Sequence, residues 1–490
     1  MTSGLRGRGR RLTPAIVGVC ALVAAGLDGL QLSRPGYLLG STADISVYLG
    51  SAVRLVHGAA PYRDFVLVQP PGITLLLSPA ALLSALTGTR WALAAVRLAT
   101  ILLAAANVVL VGRLVRQRGP LPSLAACGVM AVYPAELYAL NNGLLEPLVD
   151  FFCLVGATLV FEDGTRSLSA RRWLLGGVAM GFAATVKLPA VIPALALAAV
   201  SLPDLRHRLL PYVAGGVAGS AIPAAGFFAA APGSFVRDVV LSQAARIPSS
   251  GRAPLADRLA GMTVPGGGTT AVALTAVLAG VIVLGLAVRG RSPGPVGWFA
   301  IGSLLAVAAV QFLPAQWYPQ YAALLAPFLA VTVGVAVDGL AMRIPRPSSV
   351  MVAVAVLLAA ILGARIASVE GSSVPDPVAA VDAVVPPGGC AMSDGPTLLV
   401  PSNRLVPAGP GCTEMVDPFG TMLSYSGDPS GGVPVFRAAI THADYLVLGR
   451  TVEAWLGGPY SGLRGYVAAD FRLVRSGGLW IYVRDGYPVG

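Results

Sequence analysis

Charge is scarce in this chain. Of its 490 residues only 12% are Asp, Glu, Lys or Arg, whereas soluble domains carry about 25%. A single soluble domain is excluded, because a 55% hydrophobic content could not be buried in one core. The same figures exclude disorder. Histidine is scarcer still, with 3 residues at positions 57, 207 and 442, which excludes a histidine-rich metal site. Lysine is almost missing. Lys187 stands alone, so the 34 basic residues less that one leave 33 arginines. There is no Walker loop, no G-x-G-x-x-G after a strand and no Cys/His zinc spacing. Glycine (59) and proline (39) are plentiful but keep no collagen-like period. What remains is long apolar sequence, and the class that fits is a polytopic α-helical membrane protein.

The net charge of +11 does not call for nucleic acid here. Arginines that flank membrane spans explain it better. Apolar runs predict helices near 14–32, 92–112, 120–139 and 143–162, then a short pair near 173–187 and 188–202. Further spans are expected near 209–231, 269–288, 296–313, 320–341 and 349–366, about eleven in all. Arg6 to Arg11 place the N-terminus in the cytoplasm, with the first helix retained rather than cleaved as a signal peptide. Alternation then puts the arginine groups at 113–118, 166–172, 206–208, 289–291 and 343–346 on the same side. Eleven spans leave the C-terminus outside, in an inner (plasma) membrane. Residues 72–88 are apolar enough to cross, but crossing would reverse every later arginine loop. They are expected to lie in the outer interface.

This reading divides the chain into a transmembrane domain, 1–366, with outer loops 33–91 and 232–268, and a C-terminal region, 367–490. The last is polar and holds β-like runs at 444–449, 471–475 and 479–485, enough for a small extracytoplasmic α/β domain. Ionisable groups inside a membrane are costly and point to function. They gather towards one side: Asp28, Asp44, Glu136, Glu146 with Asp150 one turn on, and Lys187 at the turn of the short pair. The first loop carries Asp44, Tyr48, His57 and Tyr62, then Gln69-Pro70-Pro71-Gly72.

An Asp opening the first outer loop, followed by G-x-x-P-Y and P-P-G, resembles the GT-C superfamily of membrane glycosyltransferases. The likeness is to the protein O-mannosyltransferase and lipid A aminoarabinose transferase branch. Actinobacterial polyprenol-phosphomannose-dependent mannosyltransferases are similar. N-N-G-L-L-Glu146-P, V-Lys187-L-P-A and the Trp317-Tyr318-P-Gln320-Tyr321 stretch agree with it in order and side. The resemblance covers roughly 14–366 and implies transfer of a sugar from a polyprenyl phosphate to an acceptor hydroxyl. The acceptor would be a glycolipid, a cell-wall polysaccharide or a protein. It implies Asp44 as the catalytic carboxylate, Glu146 as a supporting acid or metal ligand and Lys187 as a contact for the donor phosphate. Tyr48, His57, Tyr62, Gln320 and Tyr321 are lesser candidates. Gln69 stands where the pattern often has a basic residue, so no phosphate role is assigned there.

From the residues alone, Asp44 suits equally the N-cap of a helix at 45–57. Glu146 suits a helix N-terminus, and Lys187 suits a snorkelling side chain. Mg²⁺ or Mn²⁺ through Asp44 and Glu146 stays open, since oxygen ligands suit both, and nothing in the sequence requires a metal. The partners expected are the lipid-linked sugar, its acceptor and membrane lipids, with no nucleic acid. Rival readings are a transporter or flippase of lipid-linked sugars and a non-catalytic membrane scaffold. Cys20, Cys127 and Cys153 read as buried apolar residues. Cys390 and Cys412, 22 apart in the region placed outside, are expected to pair, against the alternative of two separate buried thiols.

Overall fold

The structure is a computed structural model. It describes residues 2–40, 42–244, 254–262, 269–288, 292–313, 317–343, 347–370, 372–374, 376–405, 412 and 415–490. Much of the second loop, with Arg246 and Arg252, and the flanking Arg289, Arg291 and Arg346 lie outside the described residues. The chain divides into two compact units. One comprises Met1–Leu32, Ala99–Pro223 and Ile247–Ser372. The other comprises Ser33–Leu98, Ala224–Arg246 and Ser373–Gly490.

The first unit is helical. Its centre is Ala326–Ala341, entered by a 3₁₀ turn over Pro319–Leu325. Pro120–Val132, Thr269–Val288 and Gly294–Val310 pack around it. A helix apolar on every side belongs inside a bundle or in lipid, and burial tells the two apart. In Pro319–Ala341 the apolar window is 83% buried, whereas in Ser348–Val369 it is 0% buried. The first is a core helix, and the second, which packs against Pro120–Val132 along one side, leaves most of its apolar surface to lipid. Among the described residues five helices are long and apolar enough to cross a membrane, or six with one bent pair. The chain is therefore a multi-pass membrane protein.

That bent pair departs from the single span expected at 120–139. Pro120–Val132 and Pro134–Asn141 meet at 44°. The cause is local: Pro134 excludes the helical region for the residue before it, and Tyr133 is extended at φ −63°, ψ 121°. The short pair is present as Ala170–Val186 and Val191–Ser201. Lys187 is extended at φ −153°, ψ 129° between them, followed by a 3₁₀ turn over Leu188–Ala190.

Small residues let helix Ala170–Val186 touch helix Leu210–Ala230. A Cβ added at Gly177 would lie 2.0 Å from the Tyr212 carbonyl oxygen, and one at Gly181 2.1 Å from that of Gly216. From the other side, Gly215 and Gly219 would meet the Leu174 and Val178 carbonyls at 2.0 and 2.2 Å. Gly177 to Gly181 and Gly215 to Gly219 are two facing G-x-x-x-G pairs, the contact that packs backbones closely inside a membrane. The Tyr212 hydroxyl completes the join by donating to Ala194 O at 2.7 Å.

The second unit draws distant sequence into one core. Its helices Ala43–Val56 and Gly72–Thr87 pack on each other. Their Ile45, Leu49, Val53 and Ala81 share an apolar cluster with Val384, Val400, Leu405, Tyr445 and Ile481. The sheet behind that cluster has four strands. Ala391–Ser393 runs parallel to Tyr445–Leu448, which pairs antiparallel with Leu479–Arg484, itself antiparallel to Phe471–Ser476. Cys390 and Cys412 are joined by a disulfide, with Cα atoms 5.5 Å apart. Helix Gly72–Thr87 has 16 residues, about 24 Å at 1.5 Å each, and so falls short of a roughly 30 Å hydrocarbon core. Leu82 and Leu86 on it are exposed while Ala81 is buried, an apolar face that suits a helix lying in the membrane interface.

Candidate functional site

In the first unit the chemistry gathers where helices begin and break. Glu146 opens helix Glu146–Val160 with Pro147 behind it, a position that the helix dipole favours for a carboxylate. The carboxylate accepts a short hydrogen bond from the Lys187 ammonium. Glu146 is 1% exposed and Lys187 15%, so the pair is nearly dry and each charge needs the other. The Lys187 Nζ also sits 4.9 Å from the centre of the Tyr321 ring, a cation–π contact. Three of the expected residues therefore converge. Gln320 lies on the same 3₁₀ turn as Tyr321 and is half-buried.

Residues that the sequence did not single out support this group. Asn107 is buried, and its amide donates to Glu136 Oε1 at 3.2 Å and to the Pro147 carbonyl at 3.0 Å. It thus ties the first turn below Glu146 to the helix before it. Asp150, one turn along, is buried with Glu136, and Thr100 donates to Asp28 at 2.6 Å. Gln311 closes the helix Gly294–Val310. Its Nε2 donates to the Tyr321 carbonyl at 2.7 Å, and its Oε1 accepts from Trp317 Nε1 at 3.2 Å. A polar residue at the end of an apolar run was the available signal for Gln311, and Asn107 amid Ala and Val was the one for Asn107.

In the second unit, Asp44 sits in the first turn of Ala43–Val56 and is half-buried. The cap position belongs to Thr42, so the capping role that the sequence allowed Asp44 is not the one it has. Tyr48 is buried one turn on. His57 is exposed, with Nδ1 2.8 Å from the Val53 carbonyl, a helix-end contact. Tyr62 is more constrained. Its φ of 68° is unusual for a bulky side chain. It is buried against Phe227 and Phe235, and its hydroxyl donates to the Gln69 carbonyl at 2.6 Å. Burial pushes its phenol well above the ordinary value, and the nearby Asp238 charge adds to this. Burial likewise raises the Asp238 carboxyl, opposed by the Ser424 hydroxyl at 2.5 Å and the Arg237 guanidinium at 2.8 Å. Gln243 donates to the Val68 carbonyl at 2.7 Å. The segment before Pro70-Pro71 is therefore held by backbone contacts from two directions.

A divalent ion finds little built for it. Among the described residues no group of three or more His, Cys, Asp or Glu is placed to hold a metal, and the Glu146 carboxylate is engaged by Lys187.

Residues 68–310 match the family model of Glycosyltransferase family 87. The fold matches the crystal structure of ArnT from Cupriavidus metallidurans bound to undecaprenyl phosphate, with TM-score 0.58 at 15% identity over 100% of both chains. The chain's fold is that of the GT-C membrane glycosyltransferases. The apo form of the same ArnT matches at TM-score 0.60 and 14% identity, over 95% of this chain and 97% of that one. The archaeal oligosaccharyltransferase AglB from Archaeoglobus fulgidus, in complex with an inhibitory peptide and a dolichol-phosphate, matches at TM-score 0.55 and 12% identity. That match covers 98% of this chain and 75% of AglB. No curated protein matches the chain in sequence.

Proposed function

We propose that this GT-C protein moves a sugar from a polyprenyl-phosphate donor to an acceptor hydroxyl at the outer face of the plasma membrane. The observation that carries the reading is the dry Lys187–Glu146 pair backed by Tyr321, in a fold shared with an enzyme crystallised on undecaprenyl phosphate. The donor is a phosphodiester. The bond from its anomeric carbon to the phosphate oxygen breaks, the bond to the acceptor oxygen forms, and polyprenyl phosphate leaves. The acceptor loses one proton, and Asp44 is the carboxylate assigned to take it. Lys187 is assigned to the phosphate, whose negative charge grows as it leaves. An ammonium has three donors, so Glu146 can hold one N–H and aim the others. Glu146 is thereby a positioning group for Lys187.

The donor sugar is read as a hexose or pentose, with mannose favoured by the motif likeness. The acceptor is read as a glycolipid, a cell-wall polysaccharide or a protein. Transport of lipid-linked sugars is not favoured, since both the family match and the fold are those of transferases. The test is to incubate purified protein in lipid nanodiscs with radiolabelled polyprenyl-phosphate mannose, arabinose and glucose, and to follow label into acceptor. Wild type should transfer one of these, and Asp44→Asn should not, because the amide keeps the shape but cannot take a proton. Turnover by Asp44→Asn at the wild-type rate removes the base assignment. In sealed proteoliposomes, movement of intact donor across the bilayer without transfer removes the transferase reading.

A further inference from the structure

Lys187 reaches its partners from a helix break, and a break is a soft place to mount a charge. Its ammonium is aimed by Glu146 on one side and the Tyr321 ring on another. Tyr321 lies on a 3₁₀ turn, Pro319–Leu325, where hydrogen-bond geometry is poorer than in an α-helix. The turn packs on Pro134–Asn141 and Glu146–Val160, and a side-chain hydrogen bond fixes it at Tyr321. Gln311 supplies that bond, its Nε2 donating to the Tyr321 carbonyl at 2.7 Å. Its Oε1 is held in turn by Trp317 Nε1 at 3.2 Å, and its own carbonyl accepts from Arg258 Nη1 at 3.0 Å. Gln311 is 5% exposed, so its amide cannot exchange these partners for water at low cost. The Trp317 ring is seated against Gly261, where an added Cβ would lie 2.1 Å from the indole. Arg258 and Gly261 both belong to the short helix Leu255–Gly261 of the second loop. A path of direct contacts therefore joins that helix to the ammonium: Gly261 with Arg258, Trp317 with Gln311, Tyr321, Lys187.

We infer that Gln311 is a positioning residue for the donor site, holding Tyr321 under the Lys187 ammonium and linking its aim to the second-loop helix. The inference rests on the phosphate role proposed for Lys187. Gln311 touches no substrate and acts through Lys187 alone. Its removal should therefore weaken donor binding only when Lys187 is present.

The experiment is a double-mutant cycle on the full-length protein in nanodiscs, reading donor KM and kcat separately. Gln311→Leu should raise donor KM on the order of threefold to tenfold, the worth of one buried hydrogen bond, with acceptor KM unchanged. Gln311→Met fills the space but can neither donate to the Tyr321 carbonyl nor accept from Trp317, and should match Gln311→Leu. Neither change should raise donor KM further in a Lys187→Ala background. Equal increases with and without Lys187 would show an ordinary structural role and overturn the inference while leaving the phosphate role of Lys187 standing. An unchanged donor KM in Lys187→Ala itself would overturn both. If Gln311→Leu does not fold, Trp317→Phe takes its place: it keeps the ring against Gly261 and removes only the N–H to Gln311. It should give a smaller rise in donor KM that again vanishes without Lys187, and a rise that persists there overturns the inference.

Discussion

Taking away one member of the Glu146–Lys187 pair leaves the other charge stranded in a nearly dry place. Breaking a buried pair costs about 3–5 kcal/mol, whereas replacing both partners with apolar groups is often neutral. Glu146→Leu and Lys187→Met alone should therefore each lower the unfolding temperature, Lys187→Met the more, because the charge that it strands is the more deeply buried of the two. The double variant should be more stable than Lys187→Met, though inactive. Thermal unfolding of the four proteins in one detergent checks this. A double variant no more stable than the worse single would mean that the two side chains do not depend on each other. At this scale the sequence was informative about the chemistry and less so about its arrangement. Glu146 and Lys187 stood out because charge in an apolar chain is rare, whereas Tyr321 entered only as a lesser candidate through the resemblance of the Trp317–Tyr321 stretch. The sequence offered Glu146 as a metal ligand and Lys187 as a phosphate contact without showing that each is the other's partner. An ion pair between residues 41 apart leaves no trace in local spacing.

Helices in this protein are joined by what their residues lack. The facing pairs Gly177 with Gly181 and Gly215 with Gly219 bring carbonyl oxygens to about 2 Å from where a Cβ would stand. Backbone cannot yield as a flexible side-chain tip can. Gly177→Ala together with Gly215→Ala should push the two helices apart and lower the unfolding temperature by several degrees, since a packed membrane interface has few other sources of attraction. Gly226→Ala is the control. It lies on the same helix as Gly215, Leu210–Ala230, with nothing within 4 Å of the added carbon, and alanine is the better helix former by about 1 kcal/mol. It should be neutral or stabilising. Equal losses at Gly226 and at the Gly177–Gly215 contact would attribute the effect to the helix itself and not to packing. The glycine spacing was present in the sequence, but glycine is so common here that the pattern did not stand out. The bend at Tyr133 was missed for a related reason. Pro134 lies inside an unbroken apolar run, and apolar periodicity alone does not register a residue forced out of the helical region.

Across the whole molecule, the order of elements along the chain was legible, and their grouping was not. Span-like runs can be read one at a time, whereas the second unit takes its core from residues 45–93 and 381–483 together, and such long-range contacts have no sequence period. Two features bear on how the chain crosses the membrane, and they are independent. The arginine-bearing loops fall on one side if eleven apolar segments cross, and an odd number puts the termini on opposite sides. The shorter helices Glu146–Val160, Ala170–Val186, Val191–Ser201, Thr269–Val288 and Gly294–Val310 must then cross along with the five long ones and the bent pair, which tilt and local thinning of the bilayer allow. The Cys390–Cys412 disulfide points the same way, since such bonds persist in oxidising compartments and are reduced in the cytosol. The expected outcome is an outside C-terminus. A phosphatase fused after Gly490 should be active, and a fluorescent protein that matures only in the cytoplasm should stay dark. In intact cells a membrane-impermeant reductant should expose Cys390 and Cys412 to an impermeant maleimide, whereas buried Cys20, Cys127 and Cys153 stay unlabelled. Opening that loop should also cost the second unit roughly 3 kcal/mol on the chain-entropy account. A bright cytoplasmic fluorophore at the C-terminus would change the count by an odd number, and the extra crossing would be helix Gly72–Thr87. The pair broken at Lys187 could not account for it, because two helices that enter and leave by the same face remove two crossings and leave the termini on opposite sides.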